Sequence, residues 1–141
     1  MHSIATRLLK ACNLTIDLYK TIDDEGLKLR ISDLPSNTIG EQVYCIVGAR
    51  ESYLIALKHG KWKGFSCSLE DCFDQQLVIH KLEESSSKLE QFLQEADINN
   101  INADLLIDLL EHEVMHHGQL IRYFYANRLS FPKSWNQRYT V

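Results

Sequence analysis

Glycine and proline are the residues that interrupt helices, and this chain of 141 residues holds only six of the first and two of the second. Between the few breaks the apolar residues recur at spacings of three and four, the period of a helix with one buried face. The first run extends from about Ile4 to Tyr19 through Leu8, Leu9, Cys12 and Ile16, and dissolves in the acidic, Gly-containing segment Thr21 to Gly26. Asp33 to Thr38 carries turn chemistry, and Thr38 with Glu41 forms a capping box for a second helix reaching about Lys58. His59 to Cys67 reads as a loop, after which Ser68 with Asp71 offers a cap for a third helix ending near Ala96. Asn99, Asn100 and Asn102 make the next break, and a fourth run extends from about Ala103 to Arg128, stopped by Ser130-Phe131-Pro132 and followed by an aromatic tail. The expectation is one all-α domain spanning residues 1–141, a bundle of four helices. Its connectivity stays open, because a loop of about eight residues reaches about 26 Å and allows either a reversal or a crossing of the bundle.

The same pattern excludes several functions. A formal charge of −4 with mixed acids and bases provides no basic stripe for a nucleic acid. No apolar stretch approaches the length of a membrane span, and the N-terminal residues lack the order of an export signal, so the expected location is cytoplasmic and no membrane partner is expected. Cys12, Cys45, Cys67 and Cys72 are expected to be free thiols, since Cys67 and Cys72 match no short redox or zinc spacing.

The chemistry concentrates on the fourth run. Leu105, Leu109, His112, His116, Gln119, Leu120 and Tyr123 fall on one broad helical stripe, which turns both histidines inward. Two imidazoles one turn apart can chelate a divalent ion, although a pair of hydrogen-bonded core histidines would show the same spacing. The segment His112-Glu113-Val114-Met115-His116 has the His-Glu-x-x-His order of the zinc-peptidase helix motif, but Glu113, turned about 100° from His112, is given no role as a base. His117 reads as packing or rim, and Gln119 as a structural partner that would otherwise orient a ligand. On the second helix, Cys45, Ala49, Ser52 and Ala56 make a face of small side chains that either packs closely or leaves room for a ligand, with the Cys45 thiol as candidate third donor. His80 reads as a surface residue, His59 and His2 lie at a helix end and the chain start, and Trp62, Trp135 and Tyr139 either wall a pocket mouth or close the end of the bundle.

At His112-Glu-Val-Met-His116-His117-Gly118-Gln119 the sequence resembles the DinB/YfiT-like superfamily of metal-binding four-helix bundles, whose fourth helix carries His-x-x-x-His followed by Arg or His, Gly and Gln. The resemblance extends to Ile46-Val-Gly-Ala-Arg-Glu-Ser-Tyr53 and to the tail at Pro132-Lys-Ser-Trp135 and Tyr139. It implies a third histidine ligand at the position of Cys45, so that here a thiolate either replaces an imidazole or the ligand is lost. It further implies a divalent ion, zinc or nickel above all, and a metal-dependent transferase or hydrolase acting on a small, thiol-bearing substrate. The alternative is a non-catalytic bundle, a homodimer or small-ligand binder with a degenerate metal site.

Overall fold

The computed structural model describes residues 2–141, and the chain is all-helical, with no strand among them. Four long helices, α1 (Ser3–Tyr19), α3 (Ile39–His59), α4 (Gln75–Glu95) and α5 (Ala103–Ala126), are accompanied by two short ones, α2 (Asp24–Leu27) between α1 and α3 and α6 (Lys133–Tyr139) after α5. A 3-10 turn at Ile98–Asn100 precedes α5. No helix among the described residues is long and apolar enough to cross a membrane.

Local chemistry explains most of the boundaries. At the start of α3 the Thr38 hydroxyl accepts from the Glu41 N–H while the Glu41 carboxylate accepts from the Thr38 N–H, so the capping box expected from the sequence forms. Gly60 ends the helix in the left-handed conformation at φ 79°, which costs glycine nothing. The start of α4 differs from the expectation. Asp74, rather than Ser68, caps it through the Leu77 N–H. Ser68 turns to the side of α3, giving its N–H and hydroxyl to the Glu51 carboxylate, and Asp71 accepts from the Phe73 N–H. At the C-terminal end of α5, Asn127 forms the cap and Arg128 sits beyond it at φ 55°, two residues short of the expected stop. The aromatic tail is itself helical, as α6.

The late start of α4 leaves a fifteen-residue connection, 60–74, that runs back along the whole of α3. Ser66 exchanges two hydrogen bonds with Ser52, the Cys67 thiol donates to the Tyr44 carbonyl, and Cys72 and Phe73 reach Gly40. The strap therefore delivers α4 to the N-terminal end of α3, and the two helices run parallel. Tyr19 at the end of α1 donates to the Ile39 carbonyl at the start of α3, and Tyr123 near the end of α5 donates to Asn37. Helices α1 and α5 consequently run one way and α3 and α4 the other, with α1 packed on α4 and α5, and α3 packed on the same two.

The strap seats so closely that a Cβ on Gly40 would lie 2.4 Å from the Cys72 carbonyl oxygen. Backbone cannot swing aside, so Gly40→Ala is expected to lower stability by about 1–3 kcal/mol in urea unfolding. Gly48→Ala is expected to cost less, because its Cβ would meet chiefly the ring of Phe65, a side chain 53% exposed that can rotate, with the Cys67 Cβ at 3.0 Å as the one contact fixed to backbone.

Candidate functional site

Two apolar clusters fill the ends of the molecule. One gathers Leu18, Tyr19, Ile39, Val43, Leu120, Phe124 and Trp135, and the other Ala5, Leu8, Leu89, Leu93, Leu106 and Leu109. Between them lies a buried polar layer drawn from all four long helices: Thr15, Arg50, Ser85, Glu113, His116 and His117.

Arg50 and Glu113 form its centre, both with fully buried side chains. The guanidinium grips the carboxylate through two hydrogen bonds, Nε to Oε1 at 3.0 Å and Nη2 to Oε2 at 2.7 Å. Its remaining N–H groups reach the Leu82 carbonyl at 2.9 Å, the Ser85 hydroxyl at 3.2 Å and the Cys12 carbonyl at 3.3 Å. All five guanidinium donors are thus used, which is the condition for burying such a charge. Burial by itself would raise the Glu113 carboxyl, but the charge and hydrogen bonds of Arg50, with His117 and Thr15 behind them, hold it at about 2.

From Glu113 a chain of hydrogen bonds leads outward. Its Oε2 lies 2.5 Å from the Thr15 hydroxyl, which lies 2.7 Å from His117 Nε2, while His117 Nδ1 lies 2.6 Å from the Tyr139 hydroxyl. Burial, against the pull of Glu113, lowers His117 to about 4, so its ring is neutral at pH 7. The donor count then assigns every proton. An ionised Glu113 only accepts, so Thr15 donates to it. His117 Nε2–H donates to Thr15, and Tyr139 donates to His117 Nδ1.

The expected ligand pair lies one face away on α5. The His112 and His116 rings meet edge to face, 4.6 Å between centroids. His116 Nδ1 is hydrogen-bonded to Gln42 Oε1, and the Gln42 amide is oriented by giving its Nε2–H to Asn37 Oδ1 at 3.0 Å. Nδ1 therefore carries the proton and Nε2 the lone pair. Burial first, and then neighbouring His112, lowers His116 to about 4, and burial lowers His112 as well against the charge of Glu113. Both imidazoles are held in the neutral form that ligates metals. His112 Nδ1 stands apart: it is the one buried side-chain nitrogen or oxygen among the described residues with no hydrogen-bond partner.

The other expected residues are placed as follows. Cys45 is half-buried on α3, one turn beyond Gln42, and burial and then Glu41 raise its thiol. No group of three His, Cys, Asp or Glu side chains among the described residues is gathered as a ligand set. Gln119 is exposed, so the role it was offered passes to Gln42 on the facing helix. Ala49, Ser52 and Ala56 are buried, but Ser52 is covered by Ser66 of the strap rather than opening onto a cavity. All four cysteines are free. His80 is exposed beside Glu84, and Trp135 closes one end of the core with its indole N–H on the Leu14 carbonyl.

Sequence reasoning missed Arg50, gave Glu113 no role as a base without seeing its buried pairing, and read His117 as packing or rim, of which its burial fits the first. The signal for Arg50 and Glu113 was present: each is a charge at helical spacing from apolar residues on both sides, Arg50 between Ile46, Val47 and Leu54, and Glu113 between Leu109 and Leu120. Three surface clefts are lined elsewhere, none by Cys45, His112 or His116. No protein-family model matches the chain, and no curated protein matches it.

Proposed function

We propose that the chain is a DinB/YfiT-like four-helix bundle that binds one divalent ion, zinc or nickel, through His112 and His116, with Cys45 as the third donor. The observation that carries this reading is the buried, unpartnered Nδ1 of His112 beside a neutral His116 whose other nitrogen is tied to Gln42. Unpaired buried polar atoms are rare and costly, and a ligating nitrogen oriented by a hydrogen bond on the far side of its ring is the usual arrangement around a metal. Cys45 suits zinc once deprotonated, and binding would release its proton. A divalent ion with three protein ligands and one open position acts as a Lewis acid on a bound water or substrate thiol, which is the basis for a transferase or hydrolase acting on a small thiol-bearing molecule. Within this reading the chain's own part is structural: Gln42 fixes the His116 tautomer, and the Arg50–Glu113 layer fixes α5 against α1, α3 and α4.

The second reading is a non-catalytic homodimer or small-ligand binder with a degenerate site. It is favoured by the raised Cys45 thiol, by the lack of a gathered three-residue ligand set among the described residues, and by an exposed apolar patch in which Tyr44 and Phe65 lie 6.2 Å apart.

Elemental analysis of the untagged protein, loaded with zinc or nickel and freed of excess, separates the two. The metal reading expects about one ion per chain, lost in the His112→Ala, His116→Ala double variant, with affinity falling about 10–100-fold in Gln42→Leu. Cys45→Ala is expected to weaken binding and Cys45→His to restore it. No retained metal in the unaltered chain leaves the non-catalytic reading.

A further inference from the structure

A cleft of about 920 Å³ lies between α1, α5 and α6, on the opposite side of α5 from the histidine pair. Its volume is within the range of small-molecule sites. Arg7, Lys10 and Arg138 stand around it, all exposed, and none makes an ion pair among the described residues although six such pairs form elsewhere. The one carboxylate in the lining, Asp17, is already engaged by the Ser134 hydroxyl at 2.7 Å. In a chain of net charge −4, three cations against one carboxylate around this cleft, a local excess of two positive charges, are the reverse of the general balance.

The cleft has an apolar side as well, from Leu9, Leu110 and Val114. Its α6 wall is firmly held, with the Trp135 indole bonded to Leu14, the Tyr139 hydroxyl to His117, and the Arg138 guanidinium 4.9 Å from the Tyr139 ring centroid. A preformed site loses little ordering entropy on binding. We infer that this cleft binds a phosphate monoester with a small apolar body, its dianionic head taken by Arg7, Lys10 and Arg138 and its body laid on Leu9, Leu110 and Val114. Three cations against one engaged carboxylate match a dianion better than a carboxylate monoanion, and guanidinium groups suit phosphate oxygens. The site is separate from the proposed metal centre and does not depend on it.

Calorimetric titration of the full chain with phenyl phosphate tests the inference, with phenol, phenylacetate and inorganic phosphate as partial probes. The expected result is one phenyl phosphate per chain, bound at least about tenfold more tightly than any partial probe, with amide resonances of α1 and α6 shifting on binding. The Arg7→Ala, Lys10→Ala, Arg138→Ala triple variant is expected to lose at least about tenfold in affinity with unchanged helicity, and Val114→Glu, which puts a like charge on the cleft wall, to weaken binding as well. No binding, equal binding of phenylacetate, or affinity unchanged in both variants would overturn it.

Discussion

Arg50→Ala is expected to destabilise the protein by about 3–5 kcal/mol, the largest effect of any single replacement away from the apolar clusters. The cause is the group left behind rather than the contact removed. Glu113 would remain at the centre of the molecule with its charge unpaired, its Oε1 without a donor and its Oε2 with only Thr15. Removing both charges is a different matter, because the cost of burying ions disappears together with their attraction. The double variant Arg50→Met, Glu113→Leu is therefore expected to recover most of the loss, and urea unfolding of the unaltered chain, Arg50→Met, Glu113→Leu and the double variant gives the coupling directly. A single variant within about 1 kcal/mol of the unaltered chain would mean that water reaches the layer and that the pair is not buried in solution.

Acid is expected to unfold the protein in two stages. His116 and His117 fall from an ordinary value of 6.5 to about 4 on folding, so between those limits the unfolded chain binds protons that the folded one does not. Stability supplied by these groups is complete above pH 6.5 and is lost as pH falls towards 4. Glu113 follows in a lower window, from 4.5 to about 2, where its folded carboxylate resists protonation beside Arg50. Each group contributes on the order of 3 kcal/mol across its window. Urea midpoints measured by circular dichroism from pH 8 to pH 3 check the sign, and His117→Gln should reduce the upper stage to the share of His116 while leaving the lower one in place. A stability that is level from pH 7 to pH 5 would contradict the burial of both histidines.

The contrast between what the sequence showed and what it hid follows from how many neighbours each helix has. Long helices were legible because their apolar residues repeat over five or six turns, and the Thr38–Glu41 box was legible because both halves of it are local. Ser68 with Asp71 has the same local form, yet Ser68 finds a better acceptor in Glu51 from a helix seventeen residues earlier. Nothing within the segment announces that partner. The burial of Glu113 was hidden for a related reason. Measuring its direction from His112 assumed one inward face, whereas α5 packs on both α1 and α3, and so has an inward arc wide enough to hold His116, Glu113 and His117 together. The histidine pair itself was legible as a spacing, while the asymmetry within it, His116 tied to Gln42 and His112 Nδ1 left without a partner, depends on the facing helix.

The strap between α3 and α4 makes the tolerance of the chain to length changes one-sided. Helix α3 has 21 residues and is about 31 Å long, a distance that about nine or ten fully extended residues can just cover. Deletions that took the strap below that number would leave only a tight reversal, and α4 would enter the bundle from the other end with its sequence of buried positions inverted. Insertions near the glycines at its start face no such limit, since doubling a flexible loop adds only about 0.6 kcal/mol to its closure. Segment 60–74 can therefore grow without disturbing the fold, but it cannot be trimmed far without exchanging this topology for another.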